Sequence, residues 1–174
     1  MPVAVAVAVA VASVTAGPPD VAAMTLAFVA LGANLGDAPA TVRIAMKQID
    51  MIPHTRVTAR SSLYRTAPFE ASGPDYINAV VAIDTGLAPE ALLEALQRLE
   101  QHAGRERPYH HAPRTLDLDL LRHGDAVLAT PRLTLPHPRM NERAFVLVPL
   151  AEIAPDLVSA QQLAAVADQA IERL

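Results

Sequence analysis

The chain has 174 residues, enough for one domain with a proper core, and an apolar content of 52% with only 3% aromatics makes that core aliphatic. The formal net charge of −4 argues against a general nucleic-acid binder, and the lack of cysteine removes disulfides, thiolate nucleophiles and cysteine-bound zinc. No two long apolar segments follow one another, which argues against an integral membrane protein.

Residues 1–16 are nearly all Ala and Val. They resemble the apolar region of a secretion signal, but no Lys or Arg precedes them. Gly17, Pro18, Pro19 and Asp20 break the run, and Met24 stands directly before a strand pattern. Residues 1–23 read as an N-terminal extension outside the fold, with a cleaved targeting segment as the alternative. Residues 24–174 read as a single domain.

Thr25 to Leu31 is a short apolar run that ends at Gly32 and predicts a buried strand. Gly32 to Asp37 reads as a turn, with Asp37 as N-cap of a helix over 38–51 and Pro39 in its first turn. Val42, Ala45, Met46 and Ile49 have helical spacing and form its buried face. Free N–H groups in the glycine turn can hold a phosphate, but the Lys of a Walker loop is missing, and a plain strand-to-helix turn is the simpler reading. Thr55 to Thr66 is rich in β-formers and predicts one strand. Ala67 to Asp75 holds Pro68, Gly73 and Pro74 and reads as a long loop of the kind that often serves function. Tyr76 to Thr85 predicts a central strand, apolar on both faces. Asn78 shares a face with Tyr76, and a buried amide needs partners, either structural ones or the polar edge of a flat ligand.

Pro89 to Gly104 predicts the clearest helix, with Leu92, Leu93, Leu96 and Leu99 as its buried stripe. Glu100 lies near its C-terminal end, where negative charge opposes the dipole. That misfit implies a partner, with Arg105 and Arg107 as candidates. The following stretch collects Arg98, Arg105, Arg107 and Arg114 against Glu100 and Glu106 in an otherwise acidic chain. It reads either as a solvated loop or as an anion grip, since Arg meets phosphate oxygens bidentately. His110 and His111, adjacent in a loop, lack zinc-ligand spacing.

Next comes the alternation Leu116-Asp117-Leu118-Asp119-Leu120. In a strand the leucines face one way and the two carboxylates the other, about 6.6 Å apart along the backbone. Either this is a half-exposed strand with a polar outer face, or the two like charges hold an intervening cation, and oxygen-only ligands suit Mg²⁺, which usually takes one or two carboxylates plus substrate phosphates. Arg122 to Asp125 predicts a hairpin turn, flanked by short pieces at 126–128 and 132–135. Asn141 is a candidate cap for a helix over 142–148. Leu147 to Ile153 is apolar, Pro155 interrupts, and residues 161–174 read as a terminal amphipathic helix. From Met24 the order is strand, helix, strand, strand, helix, strand. This predicts an α+β, ferredoxin-like βαββαβ antiparallel sheet with both helices on one face and C-terminal additions covering more of it.

Five motifs occur in order: Leu31-Gly32-Ala33-Asn34-Leu35-Gly36, Ser62-Leu63-Tyr64-Arg65-Thr66, Pro74-Asp75-Tyr76-Ile77-Asn78-Ala79, Pro113-Arg114-Thr115-Leu116-Asp117-Leu118-Asp119 and Leu135-Pro136-His137-Pro138-Arg139-Met140. With these motifs, residues 24–153 resemble the 6-hydroxymethyl-7,8-dihydropterin pyrophosphokinases of the folate pathway. The resemblance implies a transferase that moves pyrophosphate from ATP to the pterin hydroxymethyl and releases AMP. It implies two Mg²⁺ ions at Asp117 and Asp119. It implies catalytic roles for Arg105, Arg107, Arg114, Asp117 and Asp119, with Arg105, Arg107, Arg114 and Arg143 on phosphates. Gln97, Arg132, Thr134 and His137 would line the ATP site. The pterin would lie between Tyr76 and Phe145, edged by Asn78, with Thr66 and Phe69 adding contacts. ATP and pterin would be the only partners, without nucleic acid or membrane, for a cytoplasmic monomer. The chain departs from the family pattern at His110-His111-Ala112, where Arg-Trp before Gly is common, in a 107–114 segment one residue short, and at Ala67 and Pro138. The competing readings are a ferredoxin-like RNA-binding module, disfavoured by charge and by the missing surface aromatics, and a pterin binder without catalysis, disfavoured by the intact Asp pair.

Overall fold

The computed structural model describes residues 23–68, 72–104 and 116–174. The extension at 1–22, Phe69, and the basic stretch with Arg105, Arg107, His110, His111 and Arg114 lie outside the described residues.

Strand β1 (Thr25–Ala33) runs two residues past the apolar run, so Gly32 and Ala33 belong to the strand and not to the turn. The reason is lateral pairing: Gly32 sits opposite Asn78 on one side and Asp117 on the other. Helix α1 (Ala38–Asp50) starts as expected, with the Asp37 carboxylate accepting from the Ala40 N–H at 3.1 Å. Such a cap contributes about 1 kcal/mol. Val42, Ala45, Met46 and Ile49 are all buried.

The stretch expected as one strand over 55–66 is two, β2 (Thr55–Arg60) and β3 (Tyr64–Thr66), both antiparallel to β4 (Tyr76–Thr85). The break at 61–63 has a cause that lies far off in sequence. The Ser62 N–H and hydroxyl turn away from the sheet to Glu152, with N–H contacts of 3.0 and 3.1 Å and a hydroxyl contact of 2.8 Å. Tyr64 adds its phenol to the same carboxylate. Burial and the hydrogen bond and charge of Glu152 push the Tyr64 phenol up to about 12. For Glu152, burial pushes upward, but the bonds from Tyr64 and Ser62 outweigh it and hold the carboxyl below its usual range.

Helix α2 (Pro89–His102) buries Leu92 and Leu96 completely and Leu93 and Leu99 in part. Each full burial contributes about 1.5–3 kcal/mol. Gly104, at φ +78°, takes the left-handed conformation after the helix ends. Strand β5 (Asp117–His123) follows, with Leu118 and Leu120 in the aliphatic core beneath α1 and α2. Gly124 ends it at φ +52°, and a Cβ there would come 2.8 Å from Thr25 Cγ2. The hairpin forms further on, between β6 (Leu128–Ala129) and β7 (Thr134–Leu135), and turns at 130–133 rather than at Gly124.

The C-terminal part differs most from expectation. Helix α3 (Ala144–Ile153) has Arg143 at its N-cap, while Asn141 sits in a 3-10 turn (Met140–Glu142) and accepts from Gln162 Nε2 at 2.9 Å. Helix α4 (Ala160–Ala165) is short, and the helix expected over 161–174 does not continue. Gln169 is needed elsewhere: its Oε1 accepts from the Ala144 N–H at 2.9 Å and its Nε2 donates to the Glu142 carbonyl at 2.8 Å. The tail then extends as β8 (Glu172–Arg173) along β3, and the Leu174 N–H donates to the Leu63 carbonyl at 2.9 Å.

The main sheet has the order β5-β1-β4-β3-β8, with β2 also on β4, and its pairings are antiparallel. Side-chain alternation gives it two cores. Val29, Leu31, Val81, Ile83 and Leu118 face α1 and α2, while Phe28, Val80 and Leu121 face α3. No helix among the described residues is long and apolar enough to cross a membrane.

Candidate active site

Polar side chains gather at one end of the sheet face that α3 covers. Asp117, Gly32, Asn78 and Tyr64 are successive cross-strand partners, so all four project to one face. Asp119 lies in the next row, opposite Ala30. The flanking Leu116, Leu118 and Leu120 are buried while both carboxylates keep partial exposure, as the alternation predicts. Between Asp117 and Asn78 the sheet carries only Gly32. A Cβ there would lie 3.4 Å from Asn78 Oδ1 and 4.0 Å from Tyr76 Cδ1.

Asn78 is buried at 4% exposure, and its Nδ2 donates to Thr66 Oγ1 at 2.9 Å. The two residues expected on a flat ligand's edge therefore hold each other in place. Tyr76, half-buried, is the cross-strand partner of Thr66.

The turn before α3 supplies the positive charge. Arg143 is half-buried, with its Cζ 5.4 Å from the centroid of the Phe145 ring. Burial and the Arg139 charge lower its pKa, while Asp119 and Asp117 pull the other way. Burial and the Arg143 charge hold His137 below the ordinary imidazole value, against the pull of Asp117. The His137 N–H donates to the Leu121 carbonyl at 2.9 Å, tying this segment to β5. His137 Nδ1 accepts from the Arg139 N–H at 3.2 Å, which leaves the proton of the neutral ring on Nε2. Asp117, Asp119, Arg143 and His137 thus share one electrostatic neighbourhood.

Gln97, Arg132 and Thr134 lie apart from that group. Gln97 is exposed on α2, Arg132 reaches Glu94 of α2 at 3.3 Å, and Thr134 is exposed on β7. Both α2 and β7 pack on β5, so these three border the strand instead of standing over its carboxylates. Among the described residues no cluster of three or more His, Cys, Asp or Glu is arranged as a metal cage. Two carboxylates with partial solvent access suit a hard cation that keeps other oxygen ligands.

At two residues the structure adds what local sequence does not show. Gly32 was read as a turn residue, although a glycine that prolongs an apolar run is also a mark of close approach within a strand. The misfit of Glu100 on its helix implies a partner, and the structure shows one, while the candidates Arg105 and Arg107 lie outside the described residues. Glu100 is buried at 3% exposure, and its Oε1 accepts from the Leu118 N–H at 2.8 Å, between the two Asp.

Paired carboxylates beside an arginine and a histidine form a set suited to a hard cation and phosphate oxygens, as in phosphoryl-group transferases, and a buried amide and two half-buried rings flank it. Residues 28–155 match the family described as 7,8-dihydro-6-hydroxymethylpterin-pyrophosphokinase (HPPK). The chain is 47% identical over 131 residues to the 2-amino-4-hydroxy-6-hydroxymethyldihydropteridine pyrophosphokinase of Pseudomonas aeruginosa, covering 75% of this chain and 81% of that one. It is 48% identical over 136 residues to the protein of the same name from Methylorubrum extorquens, covering 78% and 86%. The chain belongs to the 7,8-dihydro-6-hydroxymethylpterin-pyrophosphokinase family. Solved structures give the same fold. An HPPK-DHPS in complex with substrates aligns with TM-score 0.58 at 12% identity over 80% of this chain and 41% of that one. A Plasmodium falciparum HPPK-DHPS triple mutant aligns with TM-score 0.61 at 11% identity over 76% and 40%. This chain thus spans about two fifths of those longer proteins.

Proposed function

We propose that Asp117 and Asp119 hold two Mg²⁺ ions for the family's reaction and that the residues around them seat its two substrates. The chain is an ATP-dependent pyrophosphokinase of folate synthesis, with 6-hydroxymethyl-7,8-dihydropterin as acceptor. In the balanced step the hydroxymethyl oxygen attacks the β-phosphorus of ATP. An O–P bond forms, the bond from the β-phosphorus to its bridge oxygen breaks, AMP leaves with that oxygen, and the hydroxyl proton is released. The observation that carries the metal reading is the Asp117–Asp119 pair on one face of β5, beside Arg143 and His137.

When bound, magnesium supplies charge neutralisation and a fixed seat for the phosphates. The protein's own groups supply position. Arg143, stacked on Phe145, faces the carboxylates from above the sheet and holds phosphate oxygens. Arg105, Arg107 and Arg114, outside the described residues, complete the phosphate grip. Gln97, Arg132, Thr134 and His137 line the nucleotide along β5. Tyr76 and Phe145 bracket the pterin ring, Asn78 reads its edge with Thr66 locked beneath, and Phe69 adds a contact. The strand order, with two helices on one face, supports a ferredoxin-like core extended by α3, α4 and β8. Residues 1–23 take no part, and the protein works as a monomer.

The test is incubation with ATP, Mg²⁺ and the hydroxymethyl-dihydropterin, followed by identification of the nucleotide product. AMP is expected, and ADP would refute pyrophosphoryl transfer. Asp117→Asn and Asp119→Asn should each lower turnover at least about a hundredfold while pterin binding stays near wild type. Near-normal rates at saturating Mg²⁺ would remove the metal assignment. A chain starting at Met24 should keep wild-type turnover, and an inactive one would place the extension in the working domain.

A further inference from the structure

Glu100 is the buried carboxylate that this mechanism does not use. It sits in the last turn of α2, where the exposed carbonyls oppose negative charge. It is buried at 3% exposure, and taking a carboxylate out of water costs several kcal/mol unless its oxygens are bonded. Helix α2 and strand β5 pack together and contribute Leu92, Leu96, Leu118 and Leu120 to one aliphatic core, a setting in which an apolar side chain would serve equally well. What an apolar side chain lacks is an acceptor. Glu100 Oε1 accepts from the Leu118 N–H at 2.8 Å.

The position of that amide is informative. Among the described residues strand β5 is the edge of the sheet, with β1 on one side and no strand on the other. Along such a strand every second N–H points outward, and Leu118 presents its own to α2. Leu118 is also the residue between Asp117 and Asp119, one peptide link (about 3.8 Å) from each. Fixing its N–H fixes the plane of the peptide that joins it to Asp117 and restrains the step to Asp119.

We propose that Glu100 is a positioning residue of the metal site, acting through the Leu118 amide to hold the two carboxylates at one spacing and aim. This rests on the reading of Asp117 and Asp119 as magnesium ligands. On this proposal it is the acceptor and its reach that act on the Leu118 amide. Two conservative changes separate reach from charge. Glu100→Gln keeps the reach and an acceptor oxygen but loses the charge. Glu100→Asp keeps the charge but withdraws the oxygens by about one carbon–carbon bond, ~1.5 Å.

The measurement is Mn²⁺ affinity of the full chain with a non-hydrolysable ATP analogue, followed by electron paramagnetic resonance, beside metal-free thermal unfolding and hydrogen exchange at the Leu118 amide. Glu100→Gln should bind Mn²⁺ within about twofold of wild type, and Glu100→Asp about tenfold more weakly. Exchange at Leu118 should speed up in Glu100→Asp and stay slow in Glu100→Gln. If Glu100→Asp lowers the melting temperature yet leaves Mn²⁺ affinity intact, the role is only structural and the proposal falls. Loss of affinity in Glu100→Gln with retention in Glu100→Asp would assign the effect to charge and overturn it equally. Asp117→Asn serves as the reference. If it binds Mn²⁺ as wild type does, the metal reading itself fails and the Glu100 proposal fails with it. If Asp117→Asn is weakened and both Glu100 variants behave as wild type, the positioning proposal alone is refuted. Unaltered Leu118 exchange in all Glu100 variants also overturns it, even where Glu100→Asp is too unstable for metal titration.

Discussion

A single methyl group at Gly32 should separate folding from substrate binding. Gly32 is the only residue between Asp117 and Asn78 in its row, so two strand spacings, about 9–10 Å, separate the proposed metal ligand from the proposed pterin reader. Gly32 has ordinary strand backbone, and a Cβ on it would meet Asn78 Oδ1 at 3.4 Å and Tyr76 Cδ1 at 4.0 Å, both ordinary contacts. Gly32→Ala therefore fits the fold. The loss of chain freedom in the unfolded state should even stabilise it by about 0.4–1 kcal/mol, which raises Tm by roughly 1–4 °C for a domain of this size. In the proposed pterin site the same methyl would occupy the floor between the edge contact and the carboxylates. One misplaced carbon in such a site costs about 1–3 kcal/mol, or roughly ten- to two-hundredfold in kcat/KM for the pterin. Gly32→Val should cost more. AMP formation at varied pterin, thermal unfolding, and ATP binding without pterin give the three readouts. The expected pattern is an unchanged or raised Tm, unchanged ATP binding and a large loss in kcat/KM for the pterin. If Gly32→Val folds and keeps kcat/KM within about twofold, the pterin does not lie over this row.

Two further outcomes follow from ionisation. The Tyr64 phenol, raised to about 12 by burial and by Glu152, binds its proton more tightly in the fold than in the unfolded chain. Its contribution is fully present below pH 10 and is lost as pH rises toward about 12. It amounts to at most about 2–3 kcal/mol at 1.36 kcal/mol per pH unit, reduced by solvent screening at the phenol oxygen. Tyr64→Phe should flatten the stability-versus-pH curve in that window, measured by urea unfolding, and an unchanged slope would refute the assignment. His137 is held below 6.5, so it favours the fold above that pH, and this contribution is lost as pH falls through its depressed value. In NMR titration its midpoint should rise in Arg143→Gln, which removes a repelling cation, and fall further in Asp117→Asn. A midpoint that moves in neither variant would show that the three groups do not face one another.

Local signals revealed most of the core but not its closures. The spacing of Val42, Ala45, Met46 and Ile49, the stripe of Leu92 and Leu96, and the alternation around Asp117 and Asp119 each depend on neighbours within a few residues, and each matches the structure. The misses depend on partners far along the chain. The break between β2 and β3 needs Glu152, 90 residues beyond Ser62. The tail pairs as β8 because β3 offers it an edge, which helical periodicity over 161–174 cannot reveal. Asn141 had the right residue type for a cap, but Gln169 satisfies the Ala144 amide instead. In the site, the Asp pair was legible because strand geometry alone sets its face. Gly32 was not, because its meaning lies in the two strands beside it.

Glu100 shows how a local misfit can mark a distant requirement. Its helix gains nothing from a carboxylate in the last turn, and the arginines that the sequence offers as partners, Arg105 and Arg107, lie outside the described residues. The hydrogen bond to Leu118 spans 18 residues and crosses from α2 to the sheet edge. A central strand would have both of its neighbours to hold Asp117 and Asp119. An edge strand has one, and β5 is additionally held by Glu100 at Leu118 and by the His137 N–H at Leu121. The open edge has a use in return. Gln97, Arg132 and Thr134 border β5 on the side of α2 and the hairpin, whereas Arg143 and His137 meet its carboxylates on the α3 side. A nucleotide whose base lies among the first group and whose phosphates reach the second must cross β5 where no further strand blocks the way. An edge position for the carboxylates would leave that proposed route open, while the Glu100 side chain of α2 and the His137 backbone N–H each tie down β5 by a hydrogen bond.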